Sequence, residues 1–233
     1  MRPIGLLFLL ALSVPSVYAS PCVSASLASY VALGAGGCGV GPFTVKDFSY
    51  SVVSANVAIS GSDIMVTPVF GPDSFALLFS STSWNISGSQ FAHHLLAYTW
   101  DPGSIRSLED ILNTSTPVAP GVAKITTDAC RDAAFVGNLC STTVDSILVS
   151  HNGITPNLVA AVNYSPPIGT IGIRNLIELD ANGASSQFDS FSNTVFVPEP
   201  GSWLLVLVGL LWVAGRRLGV RLSRRLRPRV ISA

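Results

Sequence analysis

An all-β fold, a single antiparallel β-sandwich of jelly-roll-like type, is the class that residues 20–196 predict, and three observations carry it. Apolar and β-branched runs of strand length recur along the chain. The breaks between them are built from turn formers: Gly61-Ser62-Asp63, Gly71-Pro72-Asp73, Asp101-Pro102-Gly103, Asn152-Gly153 and Asn182-Gly183. No internal repeat at solenoid or propeller periods is present, so one domain around one core is expected. An N-terminal signal peptide (1–19) and one C-terminal transmembrane helix within 197–233 are expected to bracket it.

Taken in order, the first element is the export signal. Met1 and Arg2 make a short basic start, Ile4 to Val14 an apolar stretch, and Val17-Tyr18-Ala19 places small residues where signal peptidase requires them. Cleavage between Ala19 and Ser20 delivers the rest to an oxidising compartment. Cys22, Cys38, Cys130 and Cys140 are an even set, which in a secreted chain favours disulfides over thiols. Of the three possible connectivities we expect the local one, Cys22 with Cys38 and Cys130 with Cys140. No C-x-x-C or H-x-x-x-H spacing supports a zinc site instead.

Val23, Leu27, Tyr30 and Val31 stand at helical spacing and end at Gly34, which predicts a short helix. A glycine-rich loop follows (Gly34, Gly36, Gly37, Gly39, Gly41); it neither follows a strand nor opens a helix, so a flexible loop spanned by the first disulfide is expected, not a phosphate cradle. Strands are then expected at Phe43–Val53, Val57–Ile59, Ile64–Phe70, Phe75–Phe79 and Phe91–Trp100. Ser104–Leu112, with Ile105, Leu108, Ile111 and Leu112, reads as a helical turn. Strands resume at Val122–Thr127, Thr143–Val149, Leu158–Tyr164, Thr170–Leu179 and Gln187–Phe196, with Asn182-Gly183 as a hairpin signal.

The formal net charge is zero, but the charges are segregated. Between Ser20 and Val197 five basic residues face twelve acids, near −7, while seven arginines and no acid follow Ala214. An acidic ectodomain excludes nucleic acid as its partner, since phosphate binding needs a basic surface.

The basic tail belongs with the apolar run before it. Gly201 to Gly215 is fifteen residues without a charge. As a helix it is roughly 22 Å long at 1.5 Å per residue, short of the ~30 Å hydrocarbon core. Snorkelling Arg216 and Arg217, and Trp203 and Trp212 near the two ends, extend its reach. Arg216, Arg217, Arg221, Arg224 and Arg225 anchor the cytoplasmic side by the positive-inside rule. Pro198-Glu199-Pro200 cannot start a helix, because each proline fixes its own φ and extends its predecessor.

The order Pro-Glu-Pro, short apolar helix, arginine cluster resembles the PEP-CTERM sorting signal. The resemblance implies recognition of Pro198, Glu199 and Pro200 by exosortase, a transpeptidase-like membrane enzyme. It implies an inner-membrane-anchored precursor whose tail is removed on the way to the cell surface or extracellular matrix of Gram-negative bacteria. An ordinary single-pass anchor is the alternative. The stretch CVSASLASYVALGAGGCGVGPFTVKDFSYS also resembles the start of many PEP-CTERM ectodomains, which assigns no activity.

Chemistry is sparse in the middle of the chain. His93 and His94 are adjacent on an expected strand and point to opposite faces, so solvent-facing or rim roles are expected, not a shared metal. No G-x-S-x-G elbow is present. Asp128, Asp132 and Asp145 flank the second cysteine pair, and Asp101, Glu109 and Asp110 form a second acidic set; both read as solvated loop acids. No catalytic residue, cofactor or metal is expected. The leading expectation is a non-enzymatic surface or matrix protein. A domain that binds or acts on extracellular polysaccharide is the alternative, which needs a groove lined by aromatics such as Trp84, Tyr98 and Trp100 with two acids nearby.

Overall fold

The computed structural model describes residues 19–198. The expected signal peptide up to Tyr18, with Glu199, Pro200, the apolar run and the arginine tail, lies outside them. Strand β1 (Ala25–Ser26) leads into helix α1 (Leu27–Ala32), a 3-10 turn (Gly34–Gly36), β2 (Cys38–Val40) and β3 (Phe43–Ala55). Next come β4 (Met65–Phe70), β5 (Ser74–Ser80), β6 (Asn85–Ser87), β7 (Phe91–Asp101) and β8 (Ile105–Asn113). The chain continues with β9 (Val122–Arg131), β10 (Val144–His151), β11 (Pro156–Asn157) and β12 (Val159–Ile168). It ends with β13 (Ile171–Asp180), β14 (Ser185–Gln187) and β15 (Ser190–Phe196).

These strands form an antiparallel sandwich, as the periodicity predicted. One sheet runs β1-β4-β5-β15-β8-β12, the other β11-β10-β9-β13-β7-β3-β2, and β14-β6 make a small third sheet. Alternation sets the faces: along β7 the side chains of Ala92, His94, Leu96, Tyr98 and Trp100 are buried and those between them, except Thr99, are half-exposed. The core holds a continuous series of rings. Phe75 meets Phe43 at 5.7 Å between centroids, and Phe43 meets Trp100 at 5.4 Å. Tyr98 lies 6.5 Å from Trp100 and 5.7 Å from Phe79, which stacks on Phe191 at 4.9 Å. Phe191 in turn reaches Trp84 at 5.7 Å, and Trp84 packs on Phe188 at 4.5 Å.

The sheet margins are short or interrupted. β1 has two residues, β2 three and β11 two. β12 is longer, but its pairing with β8 breaks between Asn163 and Ile168, the stretch holding Pro166 and Pro167. A proline has no N–H to offer a ladder, so it belongs on an edge.

Several local expectations are corrected. Ser104–Leu112 is not helical but lies almost wholly within β8, whose inward set Leu108, Asp110 and Leu112 includes a carboxylate that hides the period of two. Val57–Ile59 is irregular chain. Asn182-Gly183 is a tight turn, with φ of 50° and 86° and Ala184 N–H on Ala181 O at 2.8 Å. It does not make a hairpin: β13 pairs with β7 and β9, while β14 pairs with β6. The glycine-rich loop is packed, not loose, since a Cβ on Gly41 (φ 60°) would fall 2.1 Å from the Phe75 ring.

α1 matches its prediction. Ser26 caps it, its hydroxyl accepting from Ser29 N–H, and Leu27 and Tyr30 are its buried face. Both disulfides pair as expected, Cys22 with Cys38 and Cys130 with Cys140. The first ties the N-terminal segment to β2; the second closes the loop after β9. Replacing Cys22 and Cys38 together by serine should lower unfolding free energy by about 3 kcal/mol through lost loop closure, measured by urea unfolding against the unmodified chain.

Candidate functional site

The acids offered by the sequence do not gather. Asp128 accepts from Arg174 Nη2 at 2.6 Å and from Ser146 Oγ at 2.6 Å. Asp145 holds Arg131 through two bonds, at 2.5 and 2.6 Å. Asp132 Oδ1 accepts the Gly169 N–H at 2.8 Å, so each acid of the first set is engaged separately. Asp101 pairs with Lys46 at 2.6 Å and accepts from Thr170; these two bonds hold its pKa below the usual carboxylate value. Glu109 and Asp110, adjacent in β8, face opposite sides of the sheet. No group of three or more His, Cys, Asp or Glu side chains that could hold a metal exists among the described residues.

The histidines also separate. His93 is at the surface, bonded to Asp180 at 3.0 Å and Ser54 at 3.2 Å. His94 is fully buried, which corrects the expected rim position. It stacks on Tyr50 at 5.5 Å between ring centroids, and its Nδ1 lies 2.9 Å from the Tyr50 hydroxyl. Burial lowers its pKa, with help from neighbouring His93, which favours the neutral imidazole. Trp84, Tyr98 and Trp100 are buried as well, and none lines a groove.

A groove does exist elsewhere, on the outer face of the six-stranded sheet, with a volume of about 390 Å³. Its floor is Val69, Ala76, Leu78 and Ile111, its polar lining includes Ser192, Thr194 and Glu109, and Phe70 and Phe196 complete it. Register explains the assembly: Ser192 sits between Leu78 and Ile111, and Thr194 between Ala76 and Glu109. None of its lining hydroxyls is hydrogen-bonded to a carboxylate or a histidine.

The chemistry that sequence reasoning missed lies inside the sandwich. Asp110 is 1% exposed, and its Oδ1 accepts from Asn193 Nδ2 at 2.6 Å. Asn193 Oδ1 accepts from Tyr98 Oη at 2.8 Å and from Asn175 Nδ2 at 2.8 Å. Thr127 Oγ1 donates to Asn175 Oδ1 at 2.7 Å. Five strands, two from one sheet and three from the other, meet in this network. Asp110 Oδ2 finds no protein partner. Burial pushes the Asp110 carboxyl up to about 6, against the hydrogen bonds that favour its anion. Glu109 beside it raises it further, and Asp110 in turn adds to the upward shift that burial gives the hydroxyls of Tyr98 on β7 and Tyr164 on β12.

No family model matches the chain. No curated protein matches it either. Among solved structures, three carbohydrate-binding modules are similar to it at low TM-score. TmCBM61, solved with β-1,4-galactotriose, is 12% identical over 64% of this chain and 84% of its own, at a TM-score of 0.32. The mannan-recognising module TmCBM27 is 11% identical over 66% of this chain and 98% of its own, at 0.27. The family 11 module from Clostridium thermocellum, solved with a mixed-linked tetrasaccharide, is 9% identical over 68% and 91%, at 0.20. At such low TM-scores the likeness says nothing of this chain's ligand.

Asp110 predicts a pH dependence. Its folded pKa is raised above the ordinary 3.8, so its protonated form favours folding. That contribution is complete below about pH 4 and lost as pH rises through about 6. Asp110→Asn should therefore be more stable than the parent at pH 8, by on the order of 3 kcal/mol, and equal to it near pH 4. Urea unfolding of both chains across that range reads the difference, and Asp63 and Asp101, whose pKa values are lowered, cancel because both chains keep them.

Proposed function

We propose that this chain is an exported, non-enzymatic surface or matrix protein, whose sandwich is presented outside the cell and routed by its C-terminal segment. The observation that carries the reading is where the last strand ends. β15 is an interior strand of its sheet and closes at Phe196, and the sequence runs on as Val197-Pro198 into Glu199-Pro200 and the apolar run. The Pro-Glu-Pro motif thus begins two residues after the sandwich's last strand. Two disulfides suit an oxidising compartment. At the other end Ser20, next to the expected cleavage point after Ala19, accepts the Gly39 N–H on its carbonyl at 2.8 Å. In this reading signal peptidase and exosortase are processing partners, and Pro198, Glu199 and Pro200 are the recognised motif. Arg216, Arg217, Arg221, Arg224 and Arg225 hold the precursor in the inner membrane. An internally tagged chain expressed in its native host should show a mature C-terminus near Pro198–Gly201 by mass spectrometry. Glu199→Ala should lose that processing, and an intact arginine tail in the parent would overturn the sorting claim.

A second reading keeps extracellular polysaccharide as ligand, and the groove on the six-stranded sheet is the observation that favours it. Its aliphatic floor and single carboxylate differ from the tryptophan-lined surface expected from sequence. Isothermal titration of the chain with soluble polysaccharides tests it: heat that disappears in Glu109→Gln or Thr194→Ala supports binding there, and no heat ends the reading.

A further inference from the structure

The chain leaves the sandwich at one definable end. Phe196 pairs with Ser74 on one side and Ser107 on the other, and Val197 N–H bonds to Asp73 O at 2.9 Å in the β4–β5 turn. Only Val197–Pro200 separates Phe196 from the apolar run at Gly201, a reach of at most about 18 Å in extended chain. Whatever holds residues 201–215 therefore holds this end of the domain close to it.

The same end carries apolar side chains that the core does not use. Phe70, at the tip of the β4–β5 hairpin, is 58% exposed, and Val69 beside it is exposed too. The disulfide-closed loop after β9 stands at this end as well, because Arg131 pairs with Ile171 and Ile171 with Trp100, whose strand turns directly into β8. That loop presents Val136 at 80% and Leu139 at 76% exposure, held together by two backbone bonds of 3.0 and 3.1 Å. It lies flat on the sheet because Gly172 has no side chain: a Cβ there would sit 2.9 Å from Ala133 O. A loop with an exposed apolar pair at its tip, at the same end as an exposed phenylalanine on the other sheet, has the makeup of an interfacial contact.

We propose that this end of the sandwich, through Phe70, Val136 and Leu139, docks on a zwitterionic lipid surface. The proposal rests on the reading that residues 201–215 lie in the membrane. The charges at this end are mixed, with Lys46 and Arg131 paired to Asp101 and Asp145 and with Asp47, Asp73 and Asp132 outnumbering Arg106. No cationic cluster is there to select anionic lipid. Docking buries side chains that would otherwise stay wet, and it sets the domain upright over its tether.

The test uses the full chain in vesicles of phosphatidylcholine with and without brominated acyl chains, which quench nearby indoles. In the parent chain quenching reports Trp203 and Trp212, since Trp84 and Trp100 are buried in the core. Phe70→Trp and Val136→Trp are then made with both Trp203 and Trp212 replaced by phenylalanine, together with Ile154→Trp as a control. Ile154 is 78% exposed at the opposite end. At least one of the first two should lose a fraction of emission comparable with Trp203 and Trp212, and Ile154→Trp none. A quenched parent with both reporters unquenched overturns docking alone: the domain then stands clear of the bilayer. An unquenched parent overturns the membrane reading and docking with it.

Discussion

The series of rings from Phe75 through Phe43, Trp100, Tyr98, Phe79, Phe191 and Trp84 to Phe188 is the interaction on which this fold depends. It crosses between the two sheets twice, from Phe75 to Phe43 and from Tyr98 to Phe79, so neither sheet can shift against the other without breaking aromatic contacts. Edge-to-face and offset pairs contribute about 0.5–1.5 kcal/mol each beyond the burial of their area. The geometry also fixes register. A slip of one residue in β7 would send Tyr98 and Trp100 to solvent and bring Ala97 and Thr99 inward. With these rings committed to the core, the outer faces are left to ion pairs, hydroxyls and aliphatic side chains.

Beside the rings, the buried network of Asp110, Asn193, Asn175, Thr127 and Tyr98 sets a different constraint. Aromatic packing tolerates small rotations; hydrogen bonds of 2.6–2.8 Å between five strands do not. The network selects one alignment of the sheets, while the unpartnered oxygen of Asp110 offsets part of the stability gained nearby. Such a group is costly in the interior and informative for that reason.

The same residues explain how far the sequence could be read. Where most inward positions are apolar, as in Val122–Arg131 and Ile171–Asp180 despite one buried polar residue each (Thr127 and Asn175), alternation located the strands to within a few residues. In β8 the pattern failed: Asp110 broke the alternation, and the remaining Ile105, Leu108, Ile111 and Leu112 imitated a helix. Asn175, Asn193 and Thr127 gave no sign of burial, because partners on other strands, not neighbours in sequence, satisfy them. His94 was misplaced for the same reason, since Tyr50 lies 44 positions away. Cysteine pairing was legible because both partners are close in the chain. The groove was not, because its lining comes from four strands whose outward residues look like any solvated surface.

The short and proline-broken margins of the two sheets bear on behaviour in a crowd. An open strand edge is a template for another copy, and a protein displayed densely at a surface meets its copies constantly. Here β1, β2 and β11 offer two or three residues each, and they leave β3 beyond Val45 and β10 before Ser150 without a ladder partner on that side. β12 offers more, but Pro166 and Pro167 withhold their hydrogen-bond donors from it. Another strand would therefore find its template along β3 or β10 of the seven-stranded sheet, not beside the two prolines of β12.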